Sequence, residues 1–91
     1  KFGKALDARG RPVALDGEDR YRNPPLTVEC WAKLDSKANF NILVSSDPKE
    51  SSRHWEIYSY SGTGNLSVYM PGYQPSEIIS DQPITDKKWH H

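Results

Sequence analysis

Ninety-one residues make one domain at most, and a chain of this length buries only roughly 60–65% of the surface its unfolded form exposes. The 12 basic and 12 acidic side chains cancel and are interspersed, so no basic stripe offers a nucleic acid its phosphate contacts, and no apolar run nears the roughly 18 residues of a membrane span. Leu, Ile, Val and Phe together fall below the roughly 20% at which disorder becomes the expectation, but zero net charge, three Trp and five Tyr favour a folded, core-poor domain.

In chain order, "GKALD" and "RPVALDG" are predicted as short strands, and Asp16–Asn23 as a long polar loop. "NPP" then blocks both helix and ladder bonds, so a strand is expected to start after Pro25. In "LTVECWAKL" the period of two places Leu26, Val28, Cys30, Ala32 and Leu34 on one face and Thr27, Glu29, Trp31 and Lys33 on the other. Cys30 is the single cysteine, so no disulfide forms within the chain, and it reads as a small apolar filler. "FNILVSS" is a second strand whose continuous apolar run predicts burial on both sides, and "SSDPKESSR" is a polar loop.

"HWEIYSYSGTGNLSVYM" is predicted as a hairpin turning at Gly62-Thr63, with glycine first as a type II′ turn prefers. That register opposes Ser59 to Leu66, Tyr58 to Ser67, Ile57 to Val68 and Glu56 to Tyr69. One face then collects Trp55, Ile57, Leu66, Val68 and Met70, the other Glu56, Tyr58, Tyr60, Ser67 and Tyr69, and a slip of one residue would scramble both. "PGYQP" is a loop, "SEIIS" a short strand, "DQPITDKK" a turn region and "WHH" the opening of another strand. Strands near every ten residues with Gly and Pro between them, and no sustained helical period, predict an all-β antiparallel sandwich.

The succession "FGKALD", "PLTVECWAKLD", "NILVSS", "HWEIYSYSGTGNLSVYM", "ITDKKWHH" resembles the laminin-G-like, concanavalin A-like jelly-roll superfamily. Members often open with F-G-x-A-L, carry an alternating strand ending in W-x-K and, later, a D-x-x-W-H-H strand. The resemblance implies a single jelly-roll domain over residues 1–91, incomplete at its C-terminus, because the W-H-H strand of such domains usually continues into several more. It also implies a secreted or cell-envelope setting within a larger protein. Half a sandwich leaves apolar faces and open edges, so strand exchange or a dimer is an expected partner state alongside a glycan or an extracellular protein.

Catalytic constellations are sparse. His54 follows a Ser-rich loop of common composition, and His90 and His91 alternate faces of one strand, so they cannot share a metal. A glycosidase needs two acids about 5–9 Å apart across one sugar bond, and the E-x-D-x-x-E strand that the resemblance would bring is missing. Glu56 reads as a solvated surface acid. A hydrolase whose acids lie beyond residue 91 and a structural or assembly domain remain the alternatives. No cofactor is expected. Asp16, Asp19 and Asp47 are weak calcium candidates, since their loops offer oxygen ligands but lack EF-hand spacing. Tyr58, Tyr60 and Tyr69 on one sheet face, with Tyr73 in the next loop, are the candidate ligand surface, because hydroxyl-rimmed aromatic rings suit sugar rings or a protein partner. Trp31, Trp55 and Trp89 are expected in the core. The function expected from all of this is non-catalytic recognition.

Overall fold

A computed structural model describes residues 3–91, so Phe2 of the "FGKALD" segment lies outside the described residues. The described residues form an all-β arrangement of six strands in two antiparallel sheets, as expected for a β-sandwich. The strands are β1 (Ala32–Lys33), β2 (Asn41–Ser46), β3 (Trp55–Ser59), β4 (Asn65–Tyr69), β5 (Glu77–Pro83) and β6 (Trp89–His90). β1 pairs with β6, and β2-β3-β4-β5 form a four-stranded meander. The helical content of the described residues is a single 3₁₀ turn, Asp19–Tyr21.

The meander follows from its turns. The central hairpin has the expected register, with Glu56 opposite Tyr69, Ile57 opposite Val68, Tyr58 opposite Ser67 and Ser59 opposite Leu66. Its closure is wider than a two-residue turn: the Gly64 N–H donates to the Tyr60 carbonyl at 2.8 Å, and both Gly62 and Gly64 hold positive φ. The spacing across the loop is unchanged, so the faces are those the pattern demands. In β2 a bulge between Ile42 and Val44 lets Ile42 stay opposite Tyr58 while Val44 comes opposite Ile57. Ile42 is thereby left 48% exposed, and β2 is not covered on both sides as its apolar run suggested.

Burial concentrates at the middle of the meander. Among the described residues Trp55 and Tyr58 are the buried apolar side chains, with His54 and Glu56 buried beside them and Ser59 and Ser67 sealed between strands. Trp55 donates its indole N–H to the Tyr21 carbonyl at 2.5 Å, which fastens the 3₁₀ turn to the sheet. β5 is longer than "SEIIS" and runs through Asp81, Gln82 and Pro83, which the turn-forming residue types had concealed. An edge strand has one side on which a proline costs no ladder bond.

Three expectations fail outside the four-stranded meander. "GKALD" and "RPVALDG" form no strand: Leu6, Val13 and Leu15 are exposed, and no ladder reaches them. "LTVECWAKL" keeps its alternation in exposure, Leu26, Val28, Cys30, Ala32 and Leu34 being half-buried and the intervening residues exposed, but only Ala32 and Lys33 find a ladder partner. Trp31 and Trp89 are not core residues. They are 50% and 40% exposed, Trp89 in a sheet only two strands wide and Trp31 just before its first strand, and Trp31 stacks on His91 with ring centroids 5.1 Å apart.

The hairpin loop gives a direct test of packing against backbone strain. A methyl group at Gly64 meets the Thr85 hydroxyl, with Thr85 Cβ at 3.1 Å, and must also hold φ +77, whereas at Gly62 it meets nothing within 4 Å and only φ +86 opposes it. Gly62→Ala should therefore cost about 1–2 kcal/mol and Gly64→Ala about 2–4 kcal/mol in a urea titration. Adding Thr85→Ala to the second variant removes the hydroxyl and methyl contacts and keeps only the Cβ one, so it should recover most of the difference between the two. Equal losses in the two single variants would rule out the Thr85 contact.

Candidate functional site

The pairings of the meander bring side chains from all four strands onto one face. Ile42 lies beside Tyr58, Glu56 beside Tyr69, and Tyr69 beside Glu77. With Phe40, Lys49, Tyr60 and Ser76 they line a groove of about 260 Å³. Its aromatic floor is continuous: Phe40 meets Tyr60 edge-on at 5.1 Å and Tyr58 at 5.8 Å, and Tyr58 lies 6.4 Å from Tyr60. Phe40 is half exposed, so its ring is offered to the groove, whereas Tyr58, 3% exposed, is the bed on which the other rings rest.

The polar groups of this face are held in place. The Tyr58 hydroxyl donates to Glu77 Oε1. Burial, and next the bond to Glu77, push the Tyr58 hydroxyl well above the usual phenol range, so it stays a neutral donor. Glu56 is not the solvated acid its sequence position suggested. It is 4% exposed, with Lys49 Nζ at 3.4 Å from Oε1 and His54 Nε2 at 3.5 Å from Oε2. A buried carboxylate needs partners of this kind. His54 is also buried, with Nδ1 2.8 Å from the Asp47 carbonyl oxygen and its ring 6.0 Å from that of Tyr69.

Three of the four candidate tyrosines thus meet in one groove, and Tyr73 does not. The "PGYQP" loop carries it to a smaller cleft of about 110 Å³, lined also by Arg22, Asn23, Arg53, Trp55 and Met70. The groove residues that sequence reasoning passed over are Phe40, Lys49 and Glu77. For Glu77 a signal was present: once "SEIIS" is laid antiparallel to β4, the residue opposite Tyr69 must share the tyrosine face.

Two of the three calcium candidates, Asp19 and Asp47, share one arginine. Arg22 Nε donates to Asp47 Oδ1 at 2.7 Å, and Arg22 Nη1 donates to Asp19 Oδ1 at 3.1 Å, so one guanidinium sits where a cation shared by these acids would sit. The hydrogen bond from Arg22, followed by that from the Ser51 hydroxyl, holds the Asp47 carboxyl below the usual carboxylate range. Asp16 is exposed and does not join them. Among the described residues, no three His, Cys, Asp or Glu side chains gather as metal ligands. Nor is any helix among them long and apolar enough to cross a membrane.

No match to this chain is found among curated proteins or among solved structures. The family model of the laminin G type within the concanavalin A-like lectin/glucanases superfamily matches residues 7–91. That span takes in the meander, the groove and the pairing of β1 with the W-H-H strand β6. The chain therefore belongs to the concanavalin A-like lectin/glucanases superfamily, as a module of its general lectin/glucanase type.

Proposed function

We propose that this chain is a non-catalytic recognition module, part of a larger secreted or cell-envelope protein, that seats a glycan on the aromatic floor of the groove. The observation that carries this reading is the Phe40–Tyr58–Tyr60 ring cluster, half open to solvent and bordered by the hydroxyls of Tyr60, Tyr69 and Ser76. Sugar rings present apolar C–H faces and hydroxyl rims, and a floor of rings with polar edges complements both. The state of the two groove carboxylates supports recognition over hydrolysis. Glu56 is paired with Lys49 and one oxygen of Glu77 accepts the Tyr58 hydroxyl, so both acids are tied to protein groups and do not stand as a free acid and nucleophile pair across a sugar bond.

Assembly is a second reading, favoured by β5. It is an edge strand on which Ile78 and Ile79 are 62% and 44% exposed, and an edge of that kind accepts a further strand from the same polypeptide or from a second copy.

Calorimetric titration with a panel of oligosaccharides tests the glycan reading. Phe40→Ala and Tyr60→Ala, both outside the buried centre, should each weaken binding about 10-fold, a loss of about 1.4 kcal/mol, while far-ultraviolet circular dichroism stays that of the parent. The reading is lost if the panel does not bind, or if it binds both variants as tightly as the parent.

A further inference from the structure

We infer that the groove selects uncharged glycans over sulfated or uronic-acid ones, and that Glu77 is the specificity-determining residue; this rests on the glycan reading above. The charged groups lining the groove are Lys49, Glu56 and Glu77. Lys49 and Glu56 face one another at 3.4 Å and cancel, and behind them His54 contacts Glu56 from the protein interior. Glu77 remains as the uncompensated charge. One of its oxygens accepts the Tyr58 hydroxyl, and its other oxygen has no protein donor among the described residues. A carboxylate fixed by one oxygen and open at the other is a built acceptor for sugar hydroxyls, which are donors, and it opposes a sulfate or carboxylate on the ligand. The floor acts in the same sense, since the faces of Phe40 and Tyr60 are electron-rich and favour C–H groups over anions. A negative ligand group 4 Å from Glu77 in water-like surroundings loses about fivefold in affinity, and more where the groove excludes water.

The experiment titrates the purified chain with neutral gluco- and galacto-oligosaccharides, with heparin-derived oligosaccharides and with oligogalacturonates, each at low and at moderate salt. Neutral sugars should bind with little salt dependence. The two acidic series should bind at least about fivefold more weakly at low salt and gain on the neutral ones as salt screens the repulsion. Glu77→Gln, which keeps an oxygen for the Tyr58 hydroxyl, should narrow the gap between acidic and neutral ligands about fivefold. Acidic oligosaccharides binding as tightly as neutral ones, with binding still lost in Phe40→Ala, would overturn the selectivity and leave the glycan reading standing. An unchanged gap in Glu77→Gln would remove Glu77 from the role. Absence of binding throughout the three series would sink both the selectivity and the reading on which it rests.

Discussion

Trp55→Ala should lower the free energy of unfolding by about 3–5 kcal/mol, half or more of what a domain of this size has to spare. Trp55 is 7% exposed, opens the inner strand β3 opposite Ser46, and has Ile57 and Val68 on its own face of the sheet. Truncation removes its area from water exclusion and leaves a void that the two flanking strands, locked in register, cannot close. It also removes the indole N–H donor to the Tyr21 carbonyl. Trp55→Phe separates the two contributions. It keeps most of the ring and loses the hydrogen bond, so about 1–2 kcal/mol of the loss should persist. Urea titrations followed by far-ultraviolet circular dichroism measure both variants. A Trp55→Ala loss under 1 kcal/mol would mean that the meander does not depend on this residue.

The second large effect centres on Tyr58. With 3% exposure and rings of Phe40 and Tyr60 leaning on it, Tyr58→Ala should cost about 3–5 kcal/mol, and Tyr58→Phe, which loses only the bond to Glu77, about 1 kcal/mol. The same residue sets an alkaline limit. Its hydroxyl has a raised pKa in the folded chain, so the folded state holds the phenol proton more tightly than the unfolded state does. The resulting stability is complete below the unfolded value of 10.0 and is lost as pH rises through the folded value. Unfolding midpoints should therefore fall above about pH 10 in the parent and fall less steeply in Tyr58→Phe. Parallel pH profiles for the two proteins would show that Tyr58 is not the group responsible.

How much was legible beforehand varied with how local the determining physics is. The hairpin register could be read because one turn and a period of two over a dozen residues leave a single arrangement that separates Trp55 and Ile57 from Tyr58 and Tyr60. The alternation from Leu26 to Leu34 was readable for the same reason, and it survives in the exposure pattern. The ladder did not follow, because pairing depends on a distant partner, and only Trp89 and His90 supply one. The burial of Glu56 was hidden because a charged residue in an amphipathic strand reads as solvent-facing. The partners that make burial tolerable, Lys49 and His54, come from a loop whose fold no local pattern announces. Phe40 was passed over for a similar reason. It stands one residue before β2, and only its ring contacts with Tyr58 and Tyr60 show which face it serves. Nearness in sequence groups Tyr73 with the other tyrosines, but the loop between β4 and β5 takes it to a different cleft.

Arg22 grips Asp19 in its own turn and Asp47 at the end of β2, and two residues beyond Asp47 the same loop carries Lys49 over the groove to Glu56. The leading segment of the chain consequently has a mechanical linkage to one wall of the groove, from which it is remote in sequence. The Trp55 indole N–H on the Tyr21 carbonyl anchors the same segment a second time, so a charge-assisted bond and an aromatic one hold it to opposite ends of the loop that precedes β3.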